Sequence, residues 1–104
     1  MQIMKKINNY AEFRHNDGES VRDHISSEPI ENKENILKYL KSWPNEGIRC
    51  ATLCDYITDE ILKPSVWTHT DGTYRWSDEE TYHFEKYNME LNEDFVKWVL
   101  ERVA

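Results

Sequence analysis

The groups able to do chemistry in this 104-residue chain are four histidines, two cysteines and twenty acidic side chains. Cys50, Cys54, His69 and His83 offer the sulfur and imidazole donors of a zinc site, but structural zinc sites bring their thiolates together on a tight knuckle. Here the Cys-x-x-x-Cys interval falls in a run of β-formers. On a strand the two thiols share a face yet stand on the order of 13 Å apart, too far for one ion or for a disulfide. A buried pair of reduced thiols is the expectation, with no metal and no cofactor. His69, flanked by Trp67 and opposite Tyr74 in the expected hairpin, reads as a hydrogen-bonded core imidazole before it reads as a general base. A small hydrolase using His69 with a nearby acid is the enzymatic alternative. His15, His24 and His83 stand in no constellation visible in the sequence. A carboxylate-pair hydrolase needs two acids at a defined separation in a cleft, and abundance of acids does not supply that geometry.

Signature loops are missing as well. There is no Gly-rich phosphate loop, G-x-S-x-G, H-E-x-x-H or calcium loop, and each glycine already sits in a turn signal: Asn16-Asp17-Gly18, Asn45-Glu46-Gly47 and Thr70-Asp71-Gly72. No catalytic residue is therefore nominated, and the chain is read as a non-enzyme.

The elements that would position these groups follow from periodicity. Ile36, Leu37, Tyr39, Leu40 and Trp43 recur at helical spacing between a cap at Asn32 and a stop at Pro44, predicting a helix over about 33–43. The run from Ile48 to Ile57 lacks that rhythm and reads as one strand. Asp71-Gly72 between two β-prone runs predicts a two-residue hairpin loop with positive φ at both positions. That register pairs Thr70 with Thr73, His69 with Tyr74, Thr68 with Arg75 and Trp67 with Trp76. Trp67, His69, Tyr74 and Trp76 then share a face, expected to be the core. Ser77-Asp78-Glu79-Glu80 reads as a capping box opening a helix that stops at Asn88. Asn92 caps a last helix whose stripe is Phe95, Val96, Val99, Leu100 and Val103. Residues 1–31 are the poorly legible segment: Tyr10, Phe13, Val21 and Ile25 fit either a weak helical rhythm or an extended arm with a turn. The expected fold class is α+β, a small antiparallel sheet with a central Asp-Gly hairpin flanked by about three helices, in one domain over 1–104.

Charge narrows the partners. A net charge of −7 disfavours direct nucleic-acid contact and an anionic membrane surface. No stretch approaches the apolar length of a membrane helix, and the first residues lack a signal-peptide run, so a cytoplasmic location is expected. Between Asp78 and Asp94 there are seven acids against Lys86 alone. Asp78, Glu79, Glu80, Glu93 and Asp94 stand in first helical turns, where they complement the helix dipole. The same tract would also offer a basic protein a negative surface made by Asp78, Glu79, Glu85, Glu90, Glu93 and Asp94.

The order of motifs adds a resemblance. Ile36-Leu37-x-Tyr39-Leu40, then Asp71-Gly72-x-Tyr74-x-Trp76, then Tyr82, Tyr87, Leu91 and Phe95 resembles small bacterial immunity proteins of polymorphic-toxin and contact-dependent growth-inhibition systems. The likeness covers about the last two thirds of the chain. It implies a protein that binds and neutralises a cognate toxin, often a nuclease, by covering its active site or a neighbouring surface. A generic bacterial interaction or adaptor domain is the alternative.

Overall fold

The computed structural model describes residues 4–14, 18–49 and 52–103. His15, the Asn16-Asp17 part of the first turn signal, and Cys50 with Ala51 lie outside the described residues. The fold is α+β. Strands β1 (Lys5–Lys6), β2 (Asn45–Arg49), β5 (Val66–Thr70) and β6 (Tyr74–Ser77) form one sheet in the order β1-β6-β5-β2; β3 (Leu53–Asp55) and β4 (Glu60–Lys63) form a second, two-stranded sheet. Helices α1 (Ala11–Arg14), α2 (Lys33–Ser42), α3 (Asp78–Tyr87) and α4 (Glu93–Val103) complete the described structure, with a 3-10 turn at Val21–Asp23.

The helix signals act as their chemistry dictates. Pro44 has no amide proton and forces Trp43 into extended backbone, so α2 ends at Ser42. At Asn32 it is the carbonyl that accepts the Ile36 amide; the side chain makes no cap bond, because Asn32 sits in the left-handed region. Ser77 and Glu80 close the expected capping box. Asn88, at φ 54°, stops α3 and uses its side chain twice, donating to the Ser26 carbonyl and accepting from Lys33 Nζ. Asn92 opens α4 through its carbonyl, which accepts from Phe95 and Val96, while its amide group donates to the Lys6 carbonyl.

Several expectations are corrected. The sheet is mixed, because β1 runs parallel to β6 with Lys5 opposite Tyr74. The poorly legible segment is neither one helix nor a plain extended arm: the two-residue β1 is followed by the one-turn α1 and the 3-10 turn, and together they bury Ile7, Tyr10, Phe13 and Val21 in the main core. The single strand expected over 48–57 is two strands in different sheets. β2 begins at Asn45, so Asn45-Glu46-Gly47 is a strand irregularity and not a turn. Among the described residues, the α-helices are the three expected together with the one-turn α1.

The β5–β6 hairpin keeps Asp71 and Gly72 between its strands but not the expected register. Thr68 faces Ser77, His69 faces Trp76 and Thr70 faces Arg75. Gly72 has φ 98°, whereas Asp71 is not among the positive-φ residues. The reason is side-chain capture: Asp71 Oδ1 accepts the amides of Thr73 and Tyr74, and Thr70 Oγ1 donates to the Tyr74 carbonyl, moving the tight bend onto Gly72-Thr73. A slip of two positions preserves the alternation, so Trp67 and Trp76 keep their shared parity. It nonetheless carries Trp67 past the end of β6. Trp76 is 1% exposed and Trp67 is 38% exposed, so only one of the two indoles is core.

The core gathers over β6. Tyr39 of α2 and Phe95 of α4 both pack on Trp76, Phe95 and Trp98 pack on Tyr74, and the Trp76 indole donates to the Leu40 carbonyl. Fully burying side chains of this size contributes about 1.5–3 kcal/mol each, which makes this aromatic layer the main stabilising feature.

Candidate functional site

The acidic tract is dispersed by the fold into three places. At the start of α3, Asp78 accepts the Trp67 amide at 3.1 Å, and Glu79, only 7% exposed, points inward. At the end of α3, Glu85 pairs with Lys41 of α2 at 2.8 Å. Glu90, Glu93 and Asp94 stand together around the α3–α4 junction, where Asp94 accepts from the Tyr74 hydroxyl at 2.8 Å and Glu93 lies 3.7 Å from Lys97. Of the six acids nominated from the sequence, Glu79 is the one the structure removes from the surface.

Glu79 belongs to a polar face of α3 that grips the 53–59 segment. Its carboxylate accepts the Cys54 amide at 2.8 Å and the Tyr56 hydroxyl at 3.0 Å. One turn on, buried His83 donates from Nδ1 to the Glu79 carbonyl and accepts the Tyr56 amide at Nε2, which fixes its tautomer. Burial pushes its pKa below the ordinary imidazole value, with the Glu79 carbonyl and the nearby Asp55 carboxylate offsetting part of the effect. Asp55, 1% exposed, accepts the amides of Ile57 and Thr58 at Oδ1 and the hydroxyls of Tyr82 and Tyr87 at Oδ2. Burial alone would raise its pKa; the two tyrosines and two amides outweigh that and hold the carboxyl far below the usual carboxylate range. Burial and the Asp55 bond in turn push Tyr87 up to about 12.

This latch was missed in the sequence, where His83 stood in no constellation. Its signal was present as Glu79, Tyr82, His83 and Lys86, a polar i, i+3, i+4, i+7 stripe on a helix whose apolar stripe was sought elsewhere. Cys54 sits on the same latch, half-buried, with its thiol 3.4 Å from Thr52 Oγ1. The expected fully buried thiol is corrected to that extent, because β3 lies in a two-stranded sheet with β4 exposed. Among the described residues, no three His, Cys, Asp or Glu side chains are grouped to hold a metal ion. His69 is half-buried and stacks on Trp76, with Nδ1 donating toward the carbonyls of Trp43 and Pro44.

A second histidine the sequence left without context organises the surface. His24 bridges two carboxylates, Nε2 to Glu19 at 2.9 Å and Nδ1 to Glu90 at 3.3 Å, and stacks on Tyr10. The Glu90 bond, with Glu19 adding, raises its pKa against a smaller desolvation effect. The Glu90 amide donates to the His24 carbonyl, and the Tyr10 hydroxyl donates to the Glu90 carbonyl. These bonds tie the 10–24 segment to the α3–α4 junction. Between them lies a polar notch of about 390 Å³ lined by Asn9, Glu19, His24, Glu90, Asn92 and Glu93 among others. Side chains of Glu19, Glu90 and Glu93 are 78%, 72% and 86% exposed around it.

The notch is concave and lined by exposed carboxylates, so it can receive a cationic side chain. Among the described residues, no helix is long and apolar enough to cross a membrane. Comparison with protein-family models, with curated proteins and with solved structures finds no match to this chain.

Proposed function

We propose that this chain is a bacterial immunity or inhibitor protein that binds and neutralises a cognate toxin, a basic domain of nuclease type, without itself catalysing a reaction. The observation that carries the reading is the notch at the α3–α4 junction, where Glu19, Glu90 and Glu93 face solvent around one concavity. A basic active-site surface is the natural complement of such a wall, and the net charge of −7 would speed the encounter. The imidazoles of His69 and His83 are bonded to main-chain groups, which favours binding over acid–base chemistry. The proposed site of action is the cytoplasm.

The test is co-expression with the toxin encoded beside this chain in its genome. Rescue of growth, capture of the toxin domain, and loss of capture on Glu90→Lys with Glu93→Lys are the expected results, with binding weakened as salt rises. Failure to rescue, or capture indifferent to both charge reversals, would count against the proposal.

One observation favours an adaptor domain instead. Ile48 and Trp67, cross-strand partners, are exposed at the β2–β5 edge, and Ile61 and Leu62 are exposed on β4. If capture of a partner is lost on Trp67→Ser with Ile61→Ser and kept on Glu93→Lys, that reading replaces the first.

A further inference from the structure

A second concavity, of about 490 Å³, adjoins the notch and shares His24, Glu90, Leu91 and Glu93 with it. Its character differs. Ile25, Ile30, Leu91 and Val96 supply an apolar floor, the isoleucines and Val96 being partly buried against the core. Asp23, Glu90 and Glu93 supply exposed carboxylates around that floor. Apolar groove and anionic notch thus lie side by side with one wall in common.

We infer that this pair of concavities docks one segment of a basic protein, an aliphatic side chain seated in the groove and a neighbouring lysine or arginine reaching the carboxylates. The inference rests on the reading of the chain as the binder of a basic toxin, and names the surface and the chemistry recognised. Charge complementarity selects the occupant. Phosphates of a nucleic acid or an anionic lipid would meet Asp23, Glu90 and Glu93 head on. A wholly apolar segment would desolvate those carboxylates with nothing in exchange. A wholly cationic one would leave the floor wet. A lysine or arginine beside an aliphatic residue satisfies both, its stem lying along the apolar rim while its head reaches the acids and the aliphatic side chain fills the floor. Lys97 beside Glu93, and His24 between Glu19 and Glu90, already occupy part of the negative field, so the added cation competes with them.

The experiment uses the full chain, isotope-labelled at amides and methyls, titrated at neutral pH with three synthetic pentapeptides: alternating Lys and Leu, alternating Lys and Ser, and alternating Glu and Leu. The Lys-Leu peptide is expected to shift the methyls of Ile25, Ile30, Leu91 and Val96. It is expected to bind about tenfold tighter than either control, as burial of a leucine beside an ion pair warrants. Glu93→Lys, an exposed site where folding is not at stake, is expected to weaken it about fivefold. Equal binding of the Lys-Ser peptide, shifts mapping elsewhere, or indifference to Glu93→Lys would overturn the inference. The two levels separate cleanly in capture assays with the neighbouring toxin domain. If Ile30→Ser captures the domain as well as wild type does while Glu90→Lys with Glu93→Lys loses it, the groove is wrong and the toxin-binding reading stands. If wild type captures nothing while the peptide result holds, the groove stands and the toxin reading falls.

Discussion

Asp55→Asn is the sharpest test of the latch that joins the two-stranded sheet to α3. The substitution keeps the shape of the side chain and removes its charge. Asp55 accepts four hydrogen bonds, from the Ile57 and Thr58 amides and from the Tyr82 and Tyr87 hydroxyls. A bond to a charged group contributes about 1.5–3 kcal/mol and a neutral one about 0.5–1.5, so each of the four weakens by about 1 kcal/mol. Over the four bonds a total loss of about 4 kcal/mol is expected at neutral pH. Set against a typical domain stability of about 5–15 kcal/mol, that would lower the melting temperature by about 15 °C. The pH dependence has a definite sign. Because the folded carboxyl titrates below its ordinary value of 3.8, the unfolded chain takes up the proton first as pH falls. The Asp55 contribution is therefore complete above that value and fades below it. Urea denaturation of both proteins at pH 7 and pH 3 should show the gap between wild type and variant narrowing in acid. A loss under about 1 kcal/mol at pH 7, or a gap that does not change, would refute the reasoning.

Other outcomes follow from the same geometry. Glu79→Lys, which places a cation where a buried carboxylate accepts the Cys54 amide and the Tyr56 hydroxyl, should cost about 3–5 kcal/mol, whereas Glu93→Lys, which loses only an exposed pairing with Lys97 and a first-turn charge, should cost about 1 kcal/mol, both by chemical denaturation. Histidine titrations followed by NMR should separate in opposite directions, His24 above 6.5 and His83 below it. Linkage then makes His24 stabilising at pH below 6.5, a contribution lost as pH rises through its folded value. His83 behaves oppositely: its contribution is present above 6.5 and lost as pH falls. Trp76→Ala should cost about 3–5 kcal/mol and Trp67→Ala about 1 kcal/mol or less, and equal losses would mean that the two indoles are equally buried after all.

Legibility in the sequence tracked the range of the interaction responsible. The capping box at Ser77 and the stop at Asn88 are set by residues within one turn and could be read directly, whereas the α4 stripe held at Phe95 and Val99 but not at Val103, which is exposed, and it left out Trp98, which packs on Tyr74. The hairpin was half legible. Asp-Gly marks a bend, but which pair occupies it depends on whether the Asp71 carboxylate closes on its own Thr73 and Tyr74 amides, and its other oxygen is held from afar by Tyr39 and Trp98. The arm docked through β1 could not be read, because its partner lies on β6, far along the chain. The notch was equally hidden: Glu90 was named for its charge, while His24 and Glu19, which give it shape, reach it from another segment. Glu79 was misplaced because a first-turn acid is ordinarily solvent-facing, and here the 53–59 segment covers it.

Pairing of Lys5 with Tyr74 closes a loop of roughly seventy residues, an entropic cost of about 4 kcal/mol from chain length alone. Two strand residues cannot repay it, so β1 forms only when Ile7, Tyr10 and Phe13 bury in a core that the later elements have already built. The segment that carries β1 is consequently expected to assemble after the rest of the core. In hydrogen exchange the Lys5 amide should open before those of Trp76 and Ser77, and the same opening would dismantle the wall that Tyr10 braces beneath Glu90.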